Sequence, residues 1–148
     1  MKKTVSLLLS VCILLTLAAC GAEQAKPLPD IYNEIKQNCS LPEMAEQDGD
    51  YLESYYGLSA DNYDEYVFAV SEDALLVDAV LLFRCKEDNI ADNTEAVLNK
   101  YLKQVKLETE SYNPANFKIA SQSEVVRNGK FVALVITDNY SEAMKYVK

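Results

Sequence analysis

The sequence predicts an α+β fold: a two-layer single domain, with a mainly antiparallel sheet of about four strands and helices packed on one face. Three observations predict it. Residues 86–111 carry apolar side chains at helical period over the longest stretch of the chain. Two extended apolar runs, Tyr66–Val70 and Leu75–Cys85, are separated only by the turn-like "SEDA". Asn128–Gly129 divides two further extended runs, which is the strongest short-range signal for a hairpin.

The elements follow in order. Pro29–Asn38 sets Ile31, Ile35 and Cys39 four apart with Tyr32 alongside, a helical stripe whose start is favoured by Pro29 and Asp30. "SLPEM" (Ser40–Met44) interrupts it. Asp48–Gly57 brings Tyr51, Leu52, Tyr55 and Tyr56 to one side of a second helix, with Gly57 as its left-handed stop. Leu58 is then placed to fold back on that helix, and Ser59 to cap a further turn with Asp61 in its first positions. Tyr66, Phe68 and Val70 face one way on the first strand. Leu75–Cys85 is apolar at both parities, as a strand covered on both faces should be, and Asp78 marks its start or an edge.

On the long helix, Ile90, Thr94, Val97, Tyr101 and Val105 share a face that Leu98 and Leu102 widen. Asp88 or Asp92 caps it, and Glu95 stands at capping-box spacing from Asp92. "YNPANF" (Tyr112–Phe117) is a break. The Asn128–Gly129 hairpin is expected as a type I′ turn, with Phe131–Thr137 as a central strand, and Tyr140–Lys148 closes as a short helix. No internal repeat suggests a solenoid.

The first residues speak to location. Lys2 and Lys3 precede an apolar run from Val5 to Ala19, shorter than the roughly 20 residues that span a bilayer. The run ends "LAAC", Leu17, Ala18, Ala19 and Cys20, which resembles the bacterial lipobox. That resemblance implies cleavage before Cys20 and a diacylglycerol on its thiol, a two-chain anchor far stronger than one chain. Residues 1–19 are therefore read as a cleaved signal peptide of lipoprotein type, 20–28 as lipidated cysteine and tether, and 29–148 as one globular α+β domain. Losing Lys2 and Lys3 takes the formal charge from −9 to −11. Such a domain is repelled by phosphate backbones, so no nucleic-acid partner is expected, and the lipid rather than charge holds the protein at the membrane.

Catalytic chemistry finds little support. The chain has no histidine, so Ser-His-Asp and Cys-His arrangements are excluded together with the commonest zinc ligand. The four glycines, at 21, 49, 57 and 129, form no phosphate loop. Asp48 and Asp50 open an EF-hand-like run, but Leu52, Glu53 and Ser59 stand where ligands or glycine are needed. "DNYDE" (Asp61–Glu65) reads first as a solvated turn and second as a weak ion site. Neither a metal nor a cofactor is expected, and the protein is read as a non-enzyme. Cys39 and Cys85 form a candidate disulfide, which their spacing neither forces nor forbids; small core hydrophobes are the other reading. Ten tyrosines and no tryptophan leave aromatic surface as the remaining signal, with Tyr56, Tyr63 and Asp61 as the candidate ligand or partner surface.

Beyond single residues, "LPEM" (Leu41–Met44), "YYGLSADNYDEYVF" (Tyr55–Phe68), "DAVLLFRCKED" (Asp78–Asp88), the long amphipathic helix and "NGKFVALVITDN" (Asn128–Asn139) occur in an order that resembles an uncharacterised, domain-of-unknown-function family. Its members are small lipoproteins of clostridial-type Gram-positive bacteria. Ser59–Ala60 departs from the Asp-Pro usual after "YGL" in that family; both pairs cap a helical turn. The resemblance implies a lipid-anchored extracytoplasmic protein and no particular activity. The expected function is a non-enzymatic interaction or binding module on the outer face of the cytoplasmic membrane, its partners being the membrane through Cys20 and an unidentified protein or cell-wall component. The alternative is a small-ligand or cell-wall polysaccharide sensor using surface tyrosines, and the third reading is a carboxylate-only hydrolase. Oligomeric state is left open.

Overall fold

A computed structural model describes residues 25–147. The expected signal segment, the lipobox and Cys20 lie outside these residues. The elements run α1 (Leu28–Asn38), β1 (Met44–Glu46), α2 (Gly49–Tyr56), a 3-10 turn (Ala60–Asn62), β2 (Tyr63–Ser71), β3 (Ala79–Cys85), α3 (Asp88–Glu110), α4 (Pro114–Ser121), β4 (Val125–Asn128), β5 (Phe131–Ile136) and α5 (Tyr140–Val147). The five strands form one sheet in the order β1-β2-β3-β5-β4, antiparallel throughout. The domain is thus α+β around an antiparallel sheet, as the sequence implies.

Two features of that expectation change. The sheet has a fifth strand, the three-residue β1, which starts at Met44, the last residue of the expected break, and runs on to Glu46. Helices also cover both faces rather than one. Ala79, Leu81 and Phe83 of β3 pack with Leu52, Leu98 and Leu102 beneath α2 and α3. Val80 and Leu82, the alternate residues, pack with Ile31, Ile35 and Met144 beneath α1 and α5. The both-parity apolar pattern of β3 and β5 is the cause: each parity needs its own cover. Every residue of β3 except Arg84 is buried.

Cys39 sits in the core beneath α1 and α5, and Cys85 in the core beneath α2 and α3. The sheet separates them, and both are free thiols, which removes the candidate disulfide.

Local signals explain most boundaries. Asp48 caps α2 by accepting from the Tyr51 amide at 2.9 Å, and Gly57 ends it at φ +66. The Leu58 amide then reaches back to the Leu52 carbonyl at 3.3 Å, and Leu58 is buried. Ser59 takes the cap position of the 3-10 turn without a side-chain hydrogen bond. At the start of α3 the structure departs from expectation: Glu87 is the cap residue, and Asp92 instead joins Glu95 in an ion pair with Arg127 of β4. "YNPANF" is a short break and then a helix, because Asn113 caps α4 by accepting from the Asn116 amide at 3.2 Å and Pro114 fills the first turn.

The hairpin is also shifted by one residue. Asn128 pairs with Phe131, so Gly129 and Lys130 are the central pair. Gly129 has φ +59 and Lys130 does not share a positive φ, the signs of a type II′ turn rather than type I′.

Candidate functional site

Of the three expected surface residues, the structure removes one. Tyr63 is only 5% exposed. Its hydroxyl lies 3.0 Å from Thr94 Oγ1, and Thr94 in turn donates to the Ile90 carbonyl at 2.8 Å. The Thr94 proton is thereby committed, so Tyr63 is the donor of the pair. It reads as exposed in sequence because it precedes the apolar alternation, yet it opens β2 opposite Cys85 beneath α3. Asp61 is exposed on the 3-10 turn; its backbone carbonyl accepts from Lys86 Nζ at 2.7 Å.

Tyr56 belongs to a cavity. It is half-buried against the upper core, with its ring 5.0 Å from Phe68 and 5.8 Å from Tyr101 between centroids. A row of aromatics connects it to the sealed interior: Tyr63 to Phe83 at 4.9 Å, Phe83 to Phe68 at 6.4 Å, then Phe68 to Tyr56. The row ends at a half-open cavity of about 440 Å³. That size lies within the roughly 300–1,000 Å³ of small-molecule sites.

Three elements build the cavity. The C-terminal end of α2 supplies Tyr55 and Tyr56, the second half of α3 supplies Tyr101 and its neighbours, and the β2–β3 loop supplies a lip of Leu76 and Val77. Tyr55 is 72% exposed and stacks obliquely on Tyr51 at 4.5 Å, which fixes its ring at the rim. The lip is held from below by Asn116 of α4, a buried side chain whose Nδ2 donates to the Leu75 carbonyl at 2.7 Å. Beside Tyr101 on α3 runs a polar row: Lys100, Gln104 and Glu108, one turn apart, with Gln104 Nε2 donating to Glu108 Oε1 at 2.8 Å.

Burial sets the protonation of the phenols. Desolvation, with Tyr51 and Glu108 nearby, pushes Tyr101 up to about 12. Desolvation and the neighbouring Tyr101 and Tyr51 raise Tyr56 further. Both hydroxyls are therefore neutral donors at physiological pH. Among the described residues no group of three or more Cys, Asp and Glu side chains is placed to hold a metal ion.

The sequence reading missed Tyr101, Gln104 and Glu108, having assigned Tyr101 to the core face of the long helix. The signal was present as two adjacent stripes at spacing four, Val97-Tyr101-Val105 and Lys100-Gln104-Glu108. What sequence lacked was the lip that turns their boundary into a concave surface.

A family described as a domain of unknown function (DUF4358) matches residues 37–137. The chain belongs to that family. No curated protein and no solved structure matches it. The DUF4358 span contains the sheet and the whole cavity lining, from Tyr55 to Thr109, but leaves out most of α1 and all of α5.

Proposed function

We propose that this DUF4358 protein is a lipid-anchored, extracytoplasmic binding module, without catalytic activity, whose cavity receives a ligand on the side away from the membrane. One observation carries the reading: the first described residues and the cavity lie at opposite ends of the sheet. Arg84 Nη2 donates to the Lys26 carbonyl at 2.8 Å, and Glu65, ion-paired with Arg84, accepts from the Leu28 amide at 3.3 Å. Residues 26–28 thus lie beside the start of β2 and the end of β3. The cavity lip follows Ser71, the last residue of β2. From Glu65 to Ser71 a strand advances about 20 Å.

Further support comes from Leu17–Cys20 and from the described residues, none of whose helices is long and apolar enough to cross a membrane. Between the two sequence readings, the cavity favours the small-ligand one, with Tyr56 retained from it and Tyr63 removed.

The test replaces Cys20 with Ala and fractionates cells, with added protease on protoplasts. The unaltered protein is expected in the membrane fraction and open to the protease, and the C20A protein away from the membrane. A C20A protein still membrane-bound, or an unaltered protein protected from the protease, would overturn the reading.

A further inference from the structure

The lining of the cavity is mixed in chemistry, and that mixture selects a ligand. Part of the lining is aromatic, with the Tyr55, Tyr56 and Tyr101 rings; the row beside Tyr101 on α3 holds Lys100, Gln104 and Glu108. Lys100 Nζ and Gln104 Nε2 donate, Gln104 Oε1 and the Glu108 carboxylate accept, and the two formal charges cancel.

Three ligand classes fit poorly. An anion would meet a chain of formal charge −9 and a lining whose one cation is offset by Glu108. A peptide that adds as a β-strand gains its affinity from main-chain bonds to a sheet edge. The edges here are β1 and β4, while the cavity is walled by helices and a loop. A purely apolar chain would strip water from Lys100, Gln104 and Glu108 without replacing their hydrogen bonds.

A neutral ring with one C–H face and a rim of hydroxyls suits both parts of the lining. Its C–H face packs on the tyrosine rings, whose faces are electron-rich and whose bodies are apolar. Each hydroxyl both donates and accepts, so a mixed row of donors and acceptors satisfies it. We infer that the cavity binds a neutral saccharide, of roughly one to two pyranose rings given a volume of about 440 Å³. This deepens the binding-module reading and rests on it.

The test uses the full chain, kept soluble where needed by a detergent without a sugar head group. It is titrated separately with cellobiose, maltose and diacetylchitobiose, with trialanine, and with inorganic phosphate. Saturable binding is read by calorimetry, and saturation transfer from tyrosine ring protons to ligand protons reports the packed face. At least one disaccharide should saturate and receive transfer at its C–H protons. Tyr55→Ala and Gln104→Ala, both exposed positions, should weaken it about tenfold or more, and Tyr112→Ala, exposed and outside the lining, should leave it unchanged. If trialanine or phosphate saturates in a Tyr55-dependent way and no disaccharide does, the saccharide assignment is wrong and the binding module stands. If nothing in the three classes binds, the saccharide assignment fails and so does the cavity as a ligand site; the C20A fractionation decides the anchor independently.

Discussion

The ring of Tyr101 on α3 meets the ring of Tyr56 on α2 edge to face, with centroids 5.8 Å apart and planes 68° apart. It is the contact through which the cavity's two helical walls hold each other, since Tyr56 also rests on Phe68 of the sheet. An aromatic pair of this kind contributes about 0.5–1.5 kcal/mol beyond burial. Tyr101→Phe should therefore leave stability nearly unchanged. Tyr101→Ala should lower it by about 2–3 kcal/mol, less than full loss of a sealed aromatic because one side of the ring is open. Urea unfolding of the two variants checks this, and equal losses would show that the hydroxyl rather than the ring carries the contact.

Alkaline pH tests the same rings by another route. Desolvation pushes Tyr101 and Tyr32 up to about 12 and Tyr56 higher still, against 10.0 for a free phenol. Each phenol holds its proton more tightly folded than unfolded. Their contribution is complete below pH 10 and is lost as pH rises from 10 through the folded values. Melting temperature should fall steeply between pH 10 and 12, and Tyr101→Phe should flatten that fall. An unchanged slope in the variant would show that the Tyr101 phenol ionises in the folded state as readily as a free one.

The fold was legible where a single element's own pattern decides it. Spacing four gives α1 and α3, Asp48 and Gly57 bound α2, and apolar residues at both parities give β3 and β5. The same parity pattern already implied cover on both faces; assigning all helices to one face overlooked it. β1 was illegible because three residues set no period, and Met44–Glu46 is a strand only through its pairing with Ala69–Ser71. α4 was hidden by Pro114, read as a break when Asn113 makes it a start. Of the three residues named as candidate surface, Tyr56, Tyr63 and Asp61, Tyr56 lines the cavity and the other two do not. The lip at Leu76 and Val77 follows a local turn, in which Asp73 Oδ1 accepts from the Leu75 amide at 2.9 Å and the Asp73 carbonyl accepts from the Leu76 amide at 3.0 Å, but its hold on the rest of the domain depends on distant residues that no local pattern reveals.

Asn116 is the clearest of those distant residues. Its Nδ2 spans 41 positions of chain to hold the Leu75 carbonyl, and the side chain is buried between α4 and the loop. Asn116→Ala removes the donor and leaves that carbonyl without its partner, a loss of about 1–2 kcal/mol. The local consequence should be larger than the global one: amide exchange at residues 74–77 should accelerate beyond that in β3. Uniform acceleration along both segments would mean that the lip is held by something other than Asn116.

Two tyrosines buried on opposite faces of the sheet should respond differently to the same substitution. The Tyr63 hydroxyl donates to Thr94, whose own proton goes to the Ile90 carbonyl. Tyr63→Phe breaks that chain at its outer link and should lower stability by about 1 kcal/mol. The Tyr32 hydroxyl, beneath α1, is buried with no hydrogen-bond partner among the described residues. A buried hydroxyl in that position is desolvated without compensation. Tyr32→Phe keeps the ring, including its place under Lys36 Nζ at 5.4 Å, and discards the uncompensated group. It should be neutral or stabilising by up to about 1 kcal/mol. Matched urea curves for the two variants decide it: a loss in Tyr32→Phe equal to that in Tyr63→Phe would mean that the Tyr32 hydroxyl has a partner, a buried water being the simplest.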